Sequence, residues 1–272
     1  MTAAEEVLAD PGLAPEVHAA LLRDHLMGVI RETALNDPRS LQKALGPSEI
    51  GDECQRKIAY KVLGVDELNV SDPWPTTVGT AVHAWLADML AGWERRYPGR
   101  YLIEQRVDPG GGAPGSNDVF LRGASAAEDS EDVAMVLDRL TGTVGDWKIK
   151  GVAGMKRVRG HAPSQGYRLQ AHLYGKGQKR AGHPVRWVSI VSLPKAGTLS
   201  EMHVWSEPFR EDLADWTLAR YEALQVTIGA LEVGEDLARL AAIPAKPSAL
   251  CPWCPFYRFR STDLGRGCPG DS

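Results

Sequence analysis

The stretch VRWVSIVSL, residues 185–193, is a run of nine residues, six of them apolar, that Pro194 ends. A run of this length and composition reads as a buried strand. Its neighbours limit what it can join. GYRLQAHLYGKGQKRAG (166–182) has helical spacing on one side, and MHVWSEPF (202–209) is a second strand able to pair with it on the other. Upstream, YLIEQRV (101–107), NDVFL (117–121), VAMVLD (133–138) and TGTVGDWKI (141–149) read as strands bounded by Gly, Pro or acidic turn residues. Helix, strands, helix, strand, helix is an α/β order, with a central mixed sheet flanked by helices.

The other helical stretches are residues 13–35, residues 50–63 carrying Cys54, and TTVGTAVHAWLADMLAGWERRY (76–97). In the last, Val78, Val82, Trp85, Met89 and Trp93 form the stripe expected of a core-facing helix, with His83 on its flank. A long helix is expected over 208–239, with Leu213, Trp216, Leu224, Ile228 and Leu231 inward. The chain divides as 1–47, a helical segment; 48–75, a helical segment with the first cysteine; 76–205, the core; and 206–272, the long helix and a cysteine-rich tail. No stretch approaches the roughly 18 apolar residues of a membrane span, and the first residues are acidic where a signal peptide is basic, so a cytoplasmic protein is expected.

GDWKIKG (145–151) places Asp146 and Lys148 on one face of a strand and Trp147 and Ile149 on the other. An isolated D-x-K is ordinarily a solvated ion pair. Its surroundings change the reading. The formal net charge is −4, which alone disfavours a nucleic-acid partner. Yet residues 147–200 hold eleven Lys or Arg and no acidic residue, leaving −15 on the remainder. A segregated basic stretch directly after D-x-K suits a phosphate-facing surface.

Phosphodiester hydrolysis needs a divalent ion to activate water and to stabilise the charge that develops at phosphorus. Magnesium or manganese takes oxygen ligands, and manganese also accepts imidazole. Asp146 supplies one carboxylate and Lys148 can orient the water. For the second carboxylate, Asp118, Asp132 and Asp138 are available. Asp118 is preferred because it sits inside a short apolar strand behind a glycine-rich lead, whereas Asp138 reads as a turn residue. Glu104 could also approach the ion, although partnering an arginine is the plainer reading. Gly79, one turn before His83, reads as a point of close approach for another element.

Cys54, Cys251, Cys254 and Cys268 complete the inventory. In an intracellular protein a C-x2-C pair points to a metal or redox site rather than to disulfides. Ligation by all four would clamp the tail onto the first helices. Thiolates favour zinc or iron–sulfur, and spacing alone does not separate them.

Taken together, G79-T-A-V-H83, G115-S-N-D118, D146-W-K148 and Q170-A-H-L-Y174 resemble, in order, the GxxxH, GxxD, (D/E)xK and QxxxY motifs of RecB-type nucleases in the PD-(D/E)xK superfamily. The cysteines resemble the iron–sulfur staple of AddB-like and CRISPR-associated RecB-like exonucleases, with the compact phage-encoded members most similar. The resemblance covers about residues 48–270 and implies a restriction-endonuclease-like core. It implies His83, Asp118, Asp146 and the Trp147 backbone carbonyl as ligands of Mn2+ or Mg2+, with Lys148 as catalytic lysine. Gln170 and Tyr174 would contact DNA, and Tyr167 could stack on a base. Cys54, Cys251, Cys254 and Cys268 would hold a 4Fe-4S cluster, with zinc as alternative, shielded by Pro252, Trp253, Pro255 and Phe256. The implied activity is exonucleolytic, on single-stranded DNA ends, in recombination, repair or phage DNA metabolism, alongside recombination or repair protein partners. The alternative is a catalytically silent DNA-binding or assembly subunit. The acidic insertion at 122–135 departs from the family pattern.

Overall fold

The computed structural model describes residues 14–36, 45–69, 72–123 and 131–270. The chain forms two units, 1–42 and 43–272. Within the first, helix α1 (Pro15–Leu35) begins on a proline, where the missing N–H costs nothing, and buries none of its side chains.

The second unit is built on a five-stranded mixed sheet in the order β1 (Tyr101–Val107), β2 (Gly115–Leu121), β3 (Thr143–Lys150), β4 (Trp187–Pro194), β5 (His203–Pro208). β1 and β2 are antiparallel, as are β2 and β3; β3 and β4 are parallel, and β5 returns antiparallel. This is the α/β arrangement expected. The parallel step requires a crossover. It is made by helices α6 (Val152–Gly160) and α7 (Gln165–Arg180), numbered after α2 (Pro47–Ile50), α3 (Gln55–Val62), α4 (Trp74–Arg96) and α5 (Glu131–Leu140). Helix α8 (Glu211–Ala230) and short 3-10 turns finish the chain.

Alternation along β3 separates the two faces of the sheet. Val144 joins Val107, Phe120, Val188 and, from α7, Ala171 and Tyr174 in one apolar cluster. Trp147 and Ile149 pack on the other side with Leu86, Val82 and Met89 of α4 and Val191 and Leu193 of β4. A third cluster joins α2, α3, α8 and the tail through Ile50, Ile58, Tyr60, Leu224, Leu240 and Phe256. Helix α7 lies close to the sheet because a side chain at Gly177 would meet Val107 at 2.8 Å and one at Gly175 would meet Phe209 at 2.6 Å.

Four expectations change. Residues 133–138 are helical, not a strand: Val136, Leu137 and Leu140 recur at helical spacing, and Met135 and Val136 are half exposed. The buried stripe of α4 runs through Leu86 and Leu90, leaving Trp85 65% and Trp93 45% exposed. Helix α8 stops at Ala230, before Glu232 takes a positive φ of 47°, and its Trp216 faces out. Gly79 is not a packing glycine, since a methyl there would meet nothing within 4 Å.

Candidate active site

The cleft arises where the β2–β3 ladder ends. Backbone pairing runs from Leu121↔Thr143 to Val119↔Gly145 and goes no further. Beyond it, side chains take over as partners. Asp118 Oδ2 accepts the Trp147 N–H at 2.6 Å, and Asn117 Nδ2 donates to the Gly145 carbonyl at 3.1 Å. Asn117 is fully buried and accepts from Gln178 Nε2 at 2.9 Å, so α7 locks the splayed strands. Neither Asn117 nor Gln178 stood out in the sequence. A neutral amide within a strand resembles any surface residue until its neighbours are known.

His83, on α4, lies with Nδ1 3.4 Å from Asp118 Oδ1. Its hydrogen bond to Asp118, reinforced by the charges of Asp118 and Asp146, raises its pKa above the usual histidine value despite burial. Glu104 completes this end of the cleft: one ligand atom each from His83, Glu104 and Asp118 lie within 4.8 Å of one another. The β1–β2 register runs through Ile103↔Val119 and Gln105↔Asn117, placing Glu104 opposite Asp118. Glu104 has φ of 48°, a left-handed conformation that is costly for a residue with a side chain. This kink resets the alternation of β1, so that Leu102 and Val107, five positions apart, pack in the same cluster. Strand periodicity could not reveal Glu104 as a site residue, because the kink breaks the periodicity.

Asp146 is 3% exposed, and Lys148 Nζ lies 2.7 Å from its Oδ2. Lys148 is thus the charged partner of this buried Oδ2. Burial, with the Asp118 charge adding to it, pushes the Asp146 carboxyl above its ordinary value against the opposing effect of Lys148. Burial pulls Lys148 down, but Asp146 beside it outweighs burial and keeps the ammonium protonated. Gln170 holds the pair, accepting from Lys148 Nζ at 3.2 Å and donating to Asp146 Oδ1 at 3.3 Å, with Tyr174 Oη 3.3 Å from its Nε2. Gln170 and Tyr174 are 5% and 7% exposed, so both face inward to the carboxylates. Tyr167, at the start of α7, lies between two ammonium groups: Lys148 Nζ is 4.7 Å from its ring centroid, and Lys150 Nζ is 4.4 Å from the centroid and 3.0 Å from its hydroxyl.

A hard divalent ion fits this set. The donors are two carboxylates and an imidazole at mutual distances compatible with one ion, and the buried Asp146 carboxylate lies beside them. Asp138, the competing carboxylate, lies on α5 in a shallow depression with Ala134, Met135, Arg139 and Arg186. Much of the basic segment is locally neutralised: Arg168 pairs with Glu207, Lys176 with Asp215 and Glu211, Lys179 with Glu211 and Arg159 with Glu201.

The four cysteines meet where the tail packs on the start of α3. Cys54, Cys251, Cys254 and Cys268 line one small cavity, with Arg56, Lys57, Tyr60, Phe256 and Tyr257 around it. Cys54 caps the N-terminus of α3, and its Sγ accepts the Lys246 N–H at 3.4 Å; Cys251 Sγ accepts the Ser248 N–H at 3.3 Å. Burial pulls Lys57 down, yet Asp52 and the sulfurs of Cys254 and Cys54 raise it overall. Phe256 is buried against the cavity, but Trp253 is 75% exposed and Pro252 also faces solvent, so neither shields it as expected.

No family model and no curated protein matches the sequence. Among solved structures, the chain is similar to an alkaline exonuclease (LHK-Exo) from Laribacter hongkongensis, at 13% identity and a TM-score of 0.44 over 74% of this chain and 94% of the other. It is equally similar to LHK-Exo in complex with dAMP, at 14% identity and a TM-score of 0.44, with the same coverage.

Proposed function

We propose that the protein is a metal-dependent DNA exonuclease acting on single-stranded ends. The observation that carries this reading is the convergence of His83, Glu104 and Asp118 beside the buried Asp146–Lys148 pair. His83, Asp118 and Asp146, joined by Glu104 and the Trp147 carbonyl, would hold Mn2+ or Mg2+. When bound, such an ion lowers the pKa of water and offsets the charge on the departing oxygen. Lys148 presents an ammonium N–H to the attacking water and to the phosphoryl oxygens, fixed in place by Asp146 and Gln170. Gln170 and Tyr174 position this pair rather than meeting the nucleic acid directly, while Tyr167 is available to a base or sugar. A role in recombination, repair or related DNA metabolism follows from an activity on ends.

The decisive experiment incubates the protein with manganese and end-labelled single-stranded DNA, beside Lys148→Ala and Asp146→Asn. Degradation by the wild type alone is expected, with losses of about 10²–10⁴-fold for the Lys148 variant. Intact DNA with the wild type, or equal degradation by Lys148→Ala, would leave only a DNA-binding or assembly role.

For the cysteine cavity we propose a 4Fe-4S cluster rather than zinc. Cys54, Cys251, Cys254 and Cys268 share one cavity, and the pairing of a distant first cysteine with a C-terminal C-x2-C and a last cysteine resembles the iron–sulfur staple more than a zinc knuckle. Anaerobically purified protein should be brown and contain iron and sulfide. A colourless protein with one equivalent of zinc would reverse the assignment.

A further inference from the structure

We infer that Lys150 and Tyr167 form a second phosphate seat, which takes the phosphodiester next to the scissile one on the same strand. The inference rests on the nuclease reading of the neighbouring site.

Asp146, Lys148 and Lys150 are spaced by two on β3, so all three project from the same face as Val144. The first two satisfy each other's charge. Lys150 differs: it is half buried, and no carboxylate among the described residues lies within ion-pair distance of it. Its Nζ instead donates to Tyr167 Oη at 3.0 Å, and its aliphatic stem lies against Gly154. An ammonium has three donors, and the Tyr167 hydroxyl uses one.

Tyr167 fixes the spacing between the two lysines, because its ring touches both ammonium groups. The ring is itself held by the first turn of α7, where Ser164 caps the helix by accepting the Tyr167 N–H. Two ammonium groups on one strand face, one charge-paired and one not, match a polyanion whose successive phosphates have different tasks. The scissile phosphate lies at the carboxylates and Lys148. Its neighbour, requiring only attraction, lies at Lys150, and the Tyr167 hydroxyl can donate to the same anion while accepting from Lys150. Lys150 is thus a positioning residue for the polynucleotide.

The test measures binding of a short single-stranded oligonucleotide, with calcium in place of manganese, across a salt series. Each phosphate contact on a single strand contributes about 0.7 to the slope of log affinity against log salt. Lys150→Met, which keeps the stem and removes the charge, should lower the slope by about 0.7 and the affinity by about tenfold. Lys150→Arg should restore the slope. An oligonucleotide with one neutral methylphosphonate beside the scissile position should bind wild type more weakly but leave Lys150→Met unaffected. With manganese, Lys150→Met should raise KM while kcat changes less than threefold. An unchanged slope in Lys150→Met, or equal sensitivity of both proteins to the methylphosphonate, would overturn the inference. Absence of cleavage by wild type would instead count against the nuclease reading, and the salt slope would still report on the seat.

Discussion

Two oxygens of Asp118 do different work. Oδ1 faces His83, while Oδ2 replaces a backbone acceptor for Trp147 at the point where β2 and β3 part. Truncation to alanine therefore removes more than the proposed metal ligand: it leaves the Trp147 N–H unpaired, at a cost of about 1–3 kcal/mol. Asp118→Asn keeps an acceptor and should melt within a few degrees of the wild type, while binding manganese weakly by calorimetry. Equal melting temperatures for the Ala and Asn variants would refute this division of labour. At this scale the sequence was readable where residue type and spacing carry the chemistry. His83 lies beside Asp118 and Lys148 beside Asp146, pairs that the motif spacing made visible as candidates. In sequence Glu104 reads as the partner of an arginine, because its reach toward the cleft depends on a left-handed kink that no local pattern announces.

Between elements, β5 is fastened to α7 by His172 and Glu207. His172 Nδ1 accepts the Arg210 N–H at 3.2 Å, so the ring proton is on Nε2, which donates to Glu207 Oε1 at 2.8 Å. Arg168, one turn away on α7, forks onto the same carboxylate. Burial holds His172 below the usual histidine value, against the pull of Glu207 and with Arg168 and Arg210 nearby. The unfolded chain takes up a proton near pH 6.5 and the folded one does so only at lower pH, so stability is full above that value and falls as pH drops through it. Burial pushes Glu207 up, but its hydrogen bonds from Arg168 and His172 hold it below the ordinary carboxylate range, adding a further loss in more acidic solution. Melting temperature should decline between pH 7.5 and 5.5, and less steeply in His172→Gln; parallel curves for the two proteins would exclude His172 as the source. Strands and long helices were legible because burial imposes a clear period on them. The exception is instructive: residues 133–138 are a one-sided surface helix, and six residues are too few to separate a period of 3.6 from one of 2 when several apolar residues adjoin.

Across the whole second unit, the tail is tied to the front independently of any metal. Arg56 donates to the Ile243 carbonyl, Tyr60 Oη to the Leu264 carbonyl at 2.6 Å, and Asn69 to the carbonyls of Cys254 and Tyr257, while the Tyr60 and Phe256 rings stack at 4.8 Å. Tyr60→Phe should cost about 1 kcal/mol and expose the last forty residues to limited proteolysis; an unaltered digestion pattern would show that the other ties suffice. The cysteine spacing announced that these distant segments meet, and the polar ties that seat them were invisible, since each joins a side chain to a backbone atom. The short segment 50–54 has a wider consequence. Arg220 grips the carbonyls of Ile50 and Asp52, Asp52 caps the Cys54 amide, and Gly51 lies so near α7 that a methyl there would sit 3.4 Å from the Gln170 nitrogen. Cysteine clasp and carboxylate cleft therefore share one hinge pin: if the proposed nuclease activity is present, a Cys54→Ser protein that still folds should show it reduced, because slack at the sulfur end is handed to the glutamine that holds Lys148.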